Sequence, residues 1–181
     1  MKKENILILA AHPDDGEFGC GASIHRLSKK YEIHYAAFSP CIKSLPKGSK
    51  DTIMFEELKK AAKHLNIKIK NIKFFNYPVR DFFKYRQDIL EDMIKLRKQI
   101  KPKQIFLPNS NDRHQDHQVI HNEGVRAFKN NNMLGYELPW NNIKSINNYF
   151  IEISEKNLTA KWKAINEYKS QNFRKYKSFD L

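Results

Sequence analysis

The chain has 181 residues, a formal net charge of +13, and 40% hydrophobic and 29% charged residues, which suits one domain large enough to bury a core of its own. No apolar run approaches the roughly 18–20 residues of a membrane-spanning helix, and with only two cysteines, Cys20 and Cys41, neither a disulfide scaffold nor a thiolate zinc site is expected and the reducing cytoplasm is. Lysine supplies 26 of the 33 cations and is scattered over every segment without interleaved aromatics, so the charge reads as a solvated surface that suits an anionic small molecule, not as a specific nucleic-acid site.

In chain order, Lys2 and Lys3 followed by apolar residues 6–11 imitate a secretory signal. The apolar stretch is short and runs straight into His12-Pro13-Asp14-Asp15, so residues 6–10 read as a first, fully apolar strand. Residues 21–30 read as a helix with Ile24 and Leu27 on one face, and 33–38 as a second strand. Residues 51–65 carry helical spacing through Met54, Leu58, Ala61, Ala62 and Leu65, with Asp51 as N-cap. A third strand is predicted over 72–75 and a long helix over 86–100, stopped by Lys101-Pro102. A fourth strand over 104–107 precedes a helix over 117–128. Beyond Met133 the pattern predicts two short strands, 134–137 and 149–153, then a helix over 154–169. No repeat or linker interrupts residues 1–181. The expected fold is one doubly wound, Rossmann-like α/β domain with a mostly parallel sheet and helices on both faces.

Two polar clusters break this pattern, residues 11–17 directly after the first strand and residues 109–117 directly after the fourth. In an open sheet of order 3-2-1-4-5 those strands are neighbours at the point where strand order reverses, and ligands bind there, outside the carboxyl ends of the strands. Two motifs about a hundred residues apart would therefore meet in one crevice.

The residue types suit a divalent metal. Hydrolytic zinc takes three His and Asp/Glu ligands and keeps a position for water, and imidazole with carboxylate also accepts iron, manganese or cobalt. The plainer alternatives stay open residue by residue: Asp14-Asp15 as a turn with an Asx cap, His12 as a hydrogen-bonded structural histidine, and His114, Asp116 and His117 as a solvated helix start. Gly16, Gly19 and Gly21 do not follow G-x-G-x-x-G, and Asp14, Asp15 and Glu17 would repel a pyrophosphate, so a dinucleotide loop is excluded.

His12-Pro13-Asp14-Asp15 followed by Glu17 and Gly19-Cys20-Gly21, with His114-Gln115-Asp116-His117 later, resembles the LmbE/PIG-L family of metal-dependent deacetylases. The likeness continues through Arg80-Asp81-Phe82, residues 86–90, Arg126-Ala127-Phe128, residues 134–137 and Ser170-Gln171. It implies a Rossmann-like hydrolase that removes acetyl groups, mostly from glucosamine-type sugars on lipid, inositol, peptide or nucleotide carriers. Carried over, it makes His12, Asp15 and His117 the ligands of Zn2+ or of Fe2+, Mn2+ or Co2+. Asp14 becomes the general base, protonated His114 the group that stabilises the oxyanion or protonates the leaving amine, and Asp116 the residue that orients an imidazole.

Arg80 and Asp81 are candidates to grip sugar hydroxyls or phosphate, against a surface ion pair. The implied partner is a small N-acetyl sugar conjugate; a homo-oligomer stays open. An amidase acting on a non-sugar or non-acetyl amide is the alternative within the same chemistry. Two departures from the family are Gly16 directly after the paired aspartates, where Glu is frequent, and an end soon after Ser170-Gln171, where relatives continue, which implies a short or truncated member.

Overall fold

Five parallel strands form one sheet in the order β3-β2-β1-β4-β5, in a computed structural model that describes residues 3–174. The strands are β1 (Asn5–Ala10), β2 (Glu32–Ala37), β3 (Ile72–Phe74), β4 (Gln104–Pro108) and β5 (Asn132–Tyr136). Helices α1 (Asp15–Leu27), α2 (Ile53–His64), α3 (Arg86–Ile100), α4 (Gln115–Ala127) and α5 (Glu155–Ile165) cover both faces. This is the expected α/β architecture, and the sheet is parallel throughout.

The continuous apolar run of β1 follows from its central place, because a strand buried on both faces needs no polar alternation. Ile6, Ile8 and Ala10 pack with residues of α1, α2 and α5, whereas Leu7 and Leu9 pack with residues of α3 and α4. Helix α3 has the predicted bounds: its apolar face is Ile89, Leu90, Met93 and Leu96, and Lys101 turns left-handed (φ 50°) before Pro102.

Three expectations are corrected. Residues 149–153 form no strand: among the described residues the sheet ends at β5, whose outer edge they do not pair with, and Tyr149 and Phe150 are exposed, so their β-forming composition gains no burial there. Asp51 is not the cap of α2, whose N-cap is Thr52. Helix α1 begins six residues earlier than predicted, at Asp15, and is bent at Cys20 (φ −141°).

The glycines that hid the start of α1 are there for close approach. A Cβ on Gly19 would lie 2.3 Å from the Tyr136 ring, which is buried and donates its hydroxyl to Leu9 O at 3.0 Å. An alanine in a helix normally gains about 1 kcal/mol over glycine. Here Gly19→Ala is expected to lower stability by about 1–3 kcal/mol, because overpacking outweighs propensity. Denaturant unfolding decides the sign; a stabilised variant would mean that the Tyr136 ring moves freely.

Candidate active site

β1 and β4 are hydrogen-bonded neighbours with β2 on one side and β5 on the other, so strand order reverses between them. The loop after β1 carries His12, Pro13 and Asp14 into Asp15, the first residue of α1; the loop after β4 carries Asp112 and His114 into α4, where Asp116 and His117 occupy the first turn. The crevice predicted from the sequence is therefore where both motifs stand.

Three donor atoms meet there. His12 Nδ1 lies 3.1 Å from His117 Nε2, and Asp15 Oδ2 lies 3.4 Å from the former and 3.2 Å from the latter. A tetrahedral ion with bonds of about 2.0–2.1 Å spaces its nitrogen and oxygen ligands about 3.3–3.4 Å apart, so the triangle has the dimensions a divalent metal requires. A wider group, His12, His114 and His117, also has nitrogens within 4.8 Å of one another, close enough to hold a metal ion.

The outer nitrogens explain why the inner ones face each other. His12 Nε2 lies 3.1 Å from Asp116 Oδ2, and His117 Nδ1 lies 2.7 Å from Asp112 Oδ2. A carboxylate facing the far nitrogen accepts a hydrogen bond from its N–H, which keeps the ring proton there and leaves the near nitrogen with a lone pair, the usual support of a metal-binding histidine. Asp116 is fully buried and also accepts the backbone N–H of Arg80 at 2.7 Å; its other oxygen has no hydrogen-bond partner among the described residues. Asp112 further accepts the N–H of His114 at 2.8 Å. Sequence reasoning missed Asp112. The only available signal was its place inside the polar run 109–117, since nothing in spacing says which histidine it serves.

The electrostatics show a site that wants positive charge. Burial alone would lower His12, but Asp15 and then Asp116 raise it to about 10. His117 rises to about 9, because Asp15 and Asp112 outweigh its burial. Burial would raise Asp15, yet His117 and His12 hold it well below the usual carboxylate range. Asp14 behaves in the opposite way: burial, then the neighbouring Asp15, push it up to about 6. Its side chain makes no cap hydrogen bond to α1, so the Asx-cap alternative does not describe it.

His114 differs from the expected imidazolium. Burial, then His12 and His117, hold its pKa near 4. Its Nδ1 accepts the N–H of Asp116 at 3.2 Å, so the neutral ring carries its proton on Nε2 and caps α4 as well as lining the cavity.

The side chains of Arg80 and Asp81 are not brought into the cavity. The Arg80 guanidinium donates to Lys43 O at 2.8 Å, and Asp81 pairs with Lys43 and Lys84. What Arg80 offers the site is its backbone N–H to Asp116, made from a left-handed φ of 71°. The cavity itself, about 170 Å³, is walled instead by Phe18, Met54, Leu138, Trp140 and Arg174. Phe18 and Trp140 meet edge to face with centroids 5.2 Å apart.

Beneath the loop of His12 lies a buried carboxyl. Glu17 is fully buried, with Tyr35 Oη 2.8 Å from Oε2 and Tyr168 Oη 3.0 Å from Oε1. Burial pushes Glu17 up to about 8.

The profile of one protein family, PIG-L: GlcNAc-PI de-N-acetylase, matches residues 7–128. A protein of Escherichia coli (strain K12) described as the uncharacterized deacetylase YaiS is 29% identical over 180 residues, 93% of this chain and 92% of that one. The solved N,N'-diacetylchitobiose deacetylase from Pyrococcus horikoshii superposes with a TM-score of 0.73 at 20% identity, over 96% of this chain and 74% of that one. The zinc-inhibited form of teicoplanin deacetylase Orf2 does so with a TM-score of 0.73 at 13% identity, over 92% and 84%. At these identities the two structures are likenesses of fold.

The raised imidazole pKa values set a pH dependence for the metal-free protein. An unfolded histidine titrates near 6.5, whereas folded His117 and His12 titrate near 9 and 10. The folded state then holds extra protons, so their stabilisation is complete below about pH 6.5 and is lost as pH rises toward 9–10. With a chelator present the melting temperature should fall over that interval, and His12→Ala should flatten the slope. A melting temperature that rises from pH 7 to 9 would contradict the charge assignment.

Proposed function

The chain belongs to the PIG-L (GlcNAc-PI de-N-acetylase) family, and from that premise we propose that it is a metal-dependent hydrolase that removes the acetyl group from an N-acetylated amino-sugar conjugate. The observation that carries the reading is the triangle of His12 Nδ1, His117 Nε2 and Asp15 Oδ2, with Asp14 beside it in the same cavity. These three residues are the ligands proposed here, and His114 is not among them, because its Nδ1 already accepts the N–H of Asp116 and its Nε2 holds the proton. The donor set suits Zn2+, and equally Fe2+, Mn2+ or Co2+. The zinc-inhibited state named for the teicoplanin deacetylase makes loading with each ion in turn the proper comparison.

His12, Asp15 and His117 would hold the divalent ion, which when bound would lower the pKa of a water toward 7 and polarise an amide carbonyl. The chain's own groups handle the protons. Asp14, at a pKa of about 6, is ionised at neutral pH and basic enough to take a proton from the attacking water, near the optimum for a general base. As the carbonyl oxygen gains charge, the Nε2–H of neutral His114 donates a hydrogen bond to it; a preorganised donor of this kind acts mainly in the transition state. The C–N bond then breaks, and the proton held by Asp14 passes to the departing amine, leaving acetate and a free amino sugar.

Asp116 and Asp112 keep the two imidazoles turned inward throughout. Trp140 and Phe18 offer an apolar wall for a sugar ring, and Arg174 is a cation for an anionic carrier. The amidase alternative, acting on a non-sugar or non-acetyl amide, differs only in what fills this wall. A panel of acetylglucosamine conjugates, scored by release of free amine, separates the two.

The neighbours Asp14 and Asp15 provide the direct test of roles. Asp14→Asn keeps shape but accepts no proton at neutral pH, so it should retain metal and fold while losing on the order of 10²–10⁴-fold in kcat, with KM little changed. Asp15→Asn should weaken metal retention, because a neutral amide oxygen is a poorer ligand for a divalent cation. Metal analysis and steady-state kinetics on both variants check this. Loss of metal from Asp14→Asn, with metal and activity intact in Asp15→Asn, would reverse the assignment.

A further inference from the structure

The carbonyl of Pro13, between His12 and Asp14, accepts hydrogen bonds from two buried tyrosine hydroxyls, Tyr35 Oη at 2.8 Å and Tyr168 Oη at 2.7 Å. The same hydroxyls bracket the Glu17 carboxyl at 2.8 and 3.0 Å, and the N–H of Gly16 donates to Tyr35 Oη at 3.0 Å. Both tyrosines and Glu17 are fully buried. They come from distant parts of the chain: Tyr35 from the middle of β2, Glu17 from the first turn of α1, and Tyr168 from the segment after α5.

This cluster sits on the one peptide plane that matters most for the proposed chemistry. The orientation of the Pro13 carbonyl sets ψ of Pro13 and, with it, the direction in which the chain enters Asp14 and Asp15. Proline fixes its own φ, so at Pro13 only this plane is left to set, and two hydroxyls hold it beside the His12 N–H, which donates to Asp15 Oδ2 at 2.7 Å. Glu17 holds the hydroxyls in turn. Gly16 fits the same cluster: a Cβ there would lie 2.6 Å from Tyr35 Oη and 2.7 Å from the ring, so glycine lets the hydroxyl reach the loop.

We propose that Glu17, Tyr35 and Tyr168 are positioning residues of the active site, a buried clamp on the Pro13 carbonyl that places Asp14 in the cavity and Asp15 against His12 and His117. The inference rests on the deacetylase reading for what Asp14 does, but not for whether the loop is held. It also makes the segment after α5 part of the active-site machinery, since Tyr168 reaches Pro13 across 155 residues of sequence.

The test compares Tyr168→Phe, which deletes one oxygen, with Glu17→Ala and Glu17→Gln. Each is assayed at a temperature where circular dichroism shows it folded. Affinity for Co2+ alone is measured by titration of the metal-free protein, and kcat and KM on the best acetylglucosamine conjugate. Supporting groups behind metal ligands typically contribute about 10–100-fold in metal affinity or activity.

Tyr168→Phe and Glu17→Ala should lose about that much in Co2+ affinity and in kcat, with KM within about twofold. Glu17→Gln, which still offers both hydroxyls a hydrogen-bonding group, should recover most of what Glu17→Ala loses. If the folded Tyr168→Phe variant shows only a lower melting temperature, with Co2+ affinity and kcat of the parent, the clamp is merely structural and the proposal falls. If the parent protein releases no amine from any acetylated sugar, the deacetylase reading fails, and the Co2+ affinities still decide the clamp.

Discussion

Two imidazole nitrogens and a carboxylate oxygen pointing at one another from 3.1 to 3.4 Å repel unless a positive charge lies among them, and the rest of the site is arranged around that constraint. With Asp116 and Asp112 on the outer nitrogens, the inner faces of His12 and His117 can be filled only by added protons or by a cation. The high pKa values of both histidines are the first answer, and the proposed metal ion, in the protons' place, would be the second. The same field separates the two adjacent aspartates. Asp15, against two imidazoles, stays ionised, while Asp14, buried beside Asp15's charge, holds its proton more tightly.

The fold supplies the meeting point. A parallel sheet delivers every strand's carboxyl end to the same edge, and reversal of strand order between β1 and β4 sends the helices that follow them, α1 and α4, to opposite faces, so a crevice opens there. The two clusters are brought together by topology, from loops about a hundred residues apart. Precision comes from beneath. Pro13, Gly16 and Glu17 engage the buried Tyr35 and Tyr168 hydroxyls, so the loop that carries His12 and Asp14 is fastened to both β2 and the segment after α5.

Much of this was legible before any coordinates. Helix α3 could be read to the residue because Ile89, Leu90, Met93 and Leu96 repeat at helical spacing and Pro102 ends it. The crevice could be read because polar residues interrupt two apolar strands at their carboxyl ends. The early start of α1 could not, because Gly16 and Gly19 look like breakers until Tyr35 and Tyr136 are seen against them. Residues 149–153 have the composition of a strand, but composition alone does not dock a segment on the edge of β5, where the sheet of the described residues ends. The service of Asp112 to His117, the neutral state of His114, and the use of Arg80 through its backbone depend on which atom faces which. No spacing rule carries that information.

The most direct measurement of the central claim is a crystal structure of the metal-loaded protein, with anomalous diffraction collected on both sides of the metal's absorption edge. The account predicts one strong anomalous peak within bonding distance of His12 Nδ1, Asp15 Oδ2 and His117 Nε2, with the Asp14 carboxylate facing it unbound. A peak bound through His114 in place of Asp15, or none at saturating metal, would contradict it.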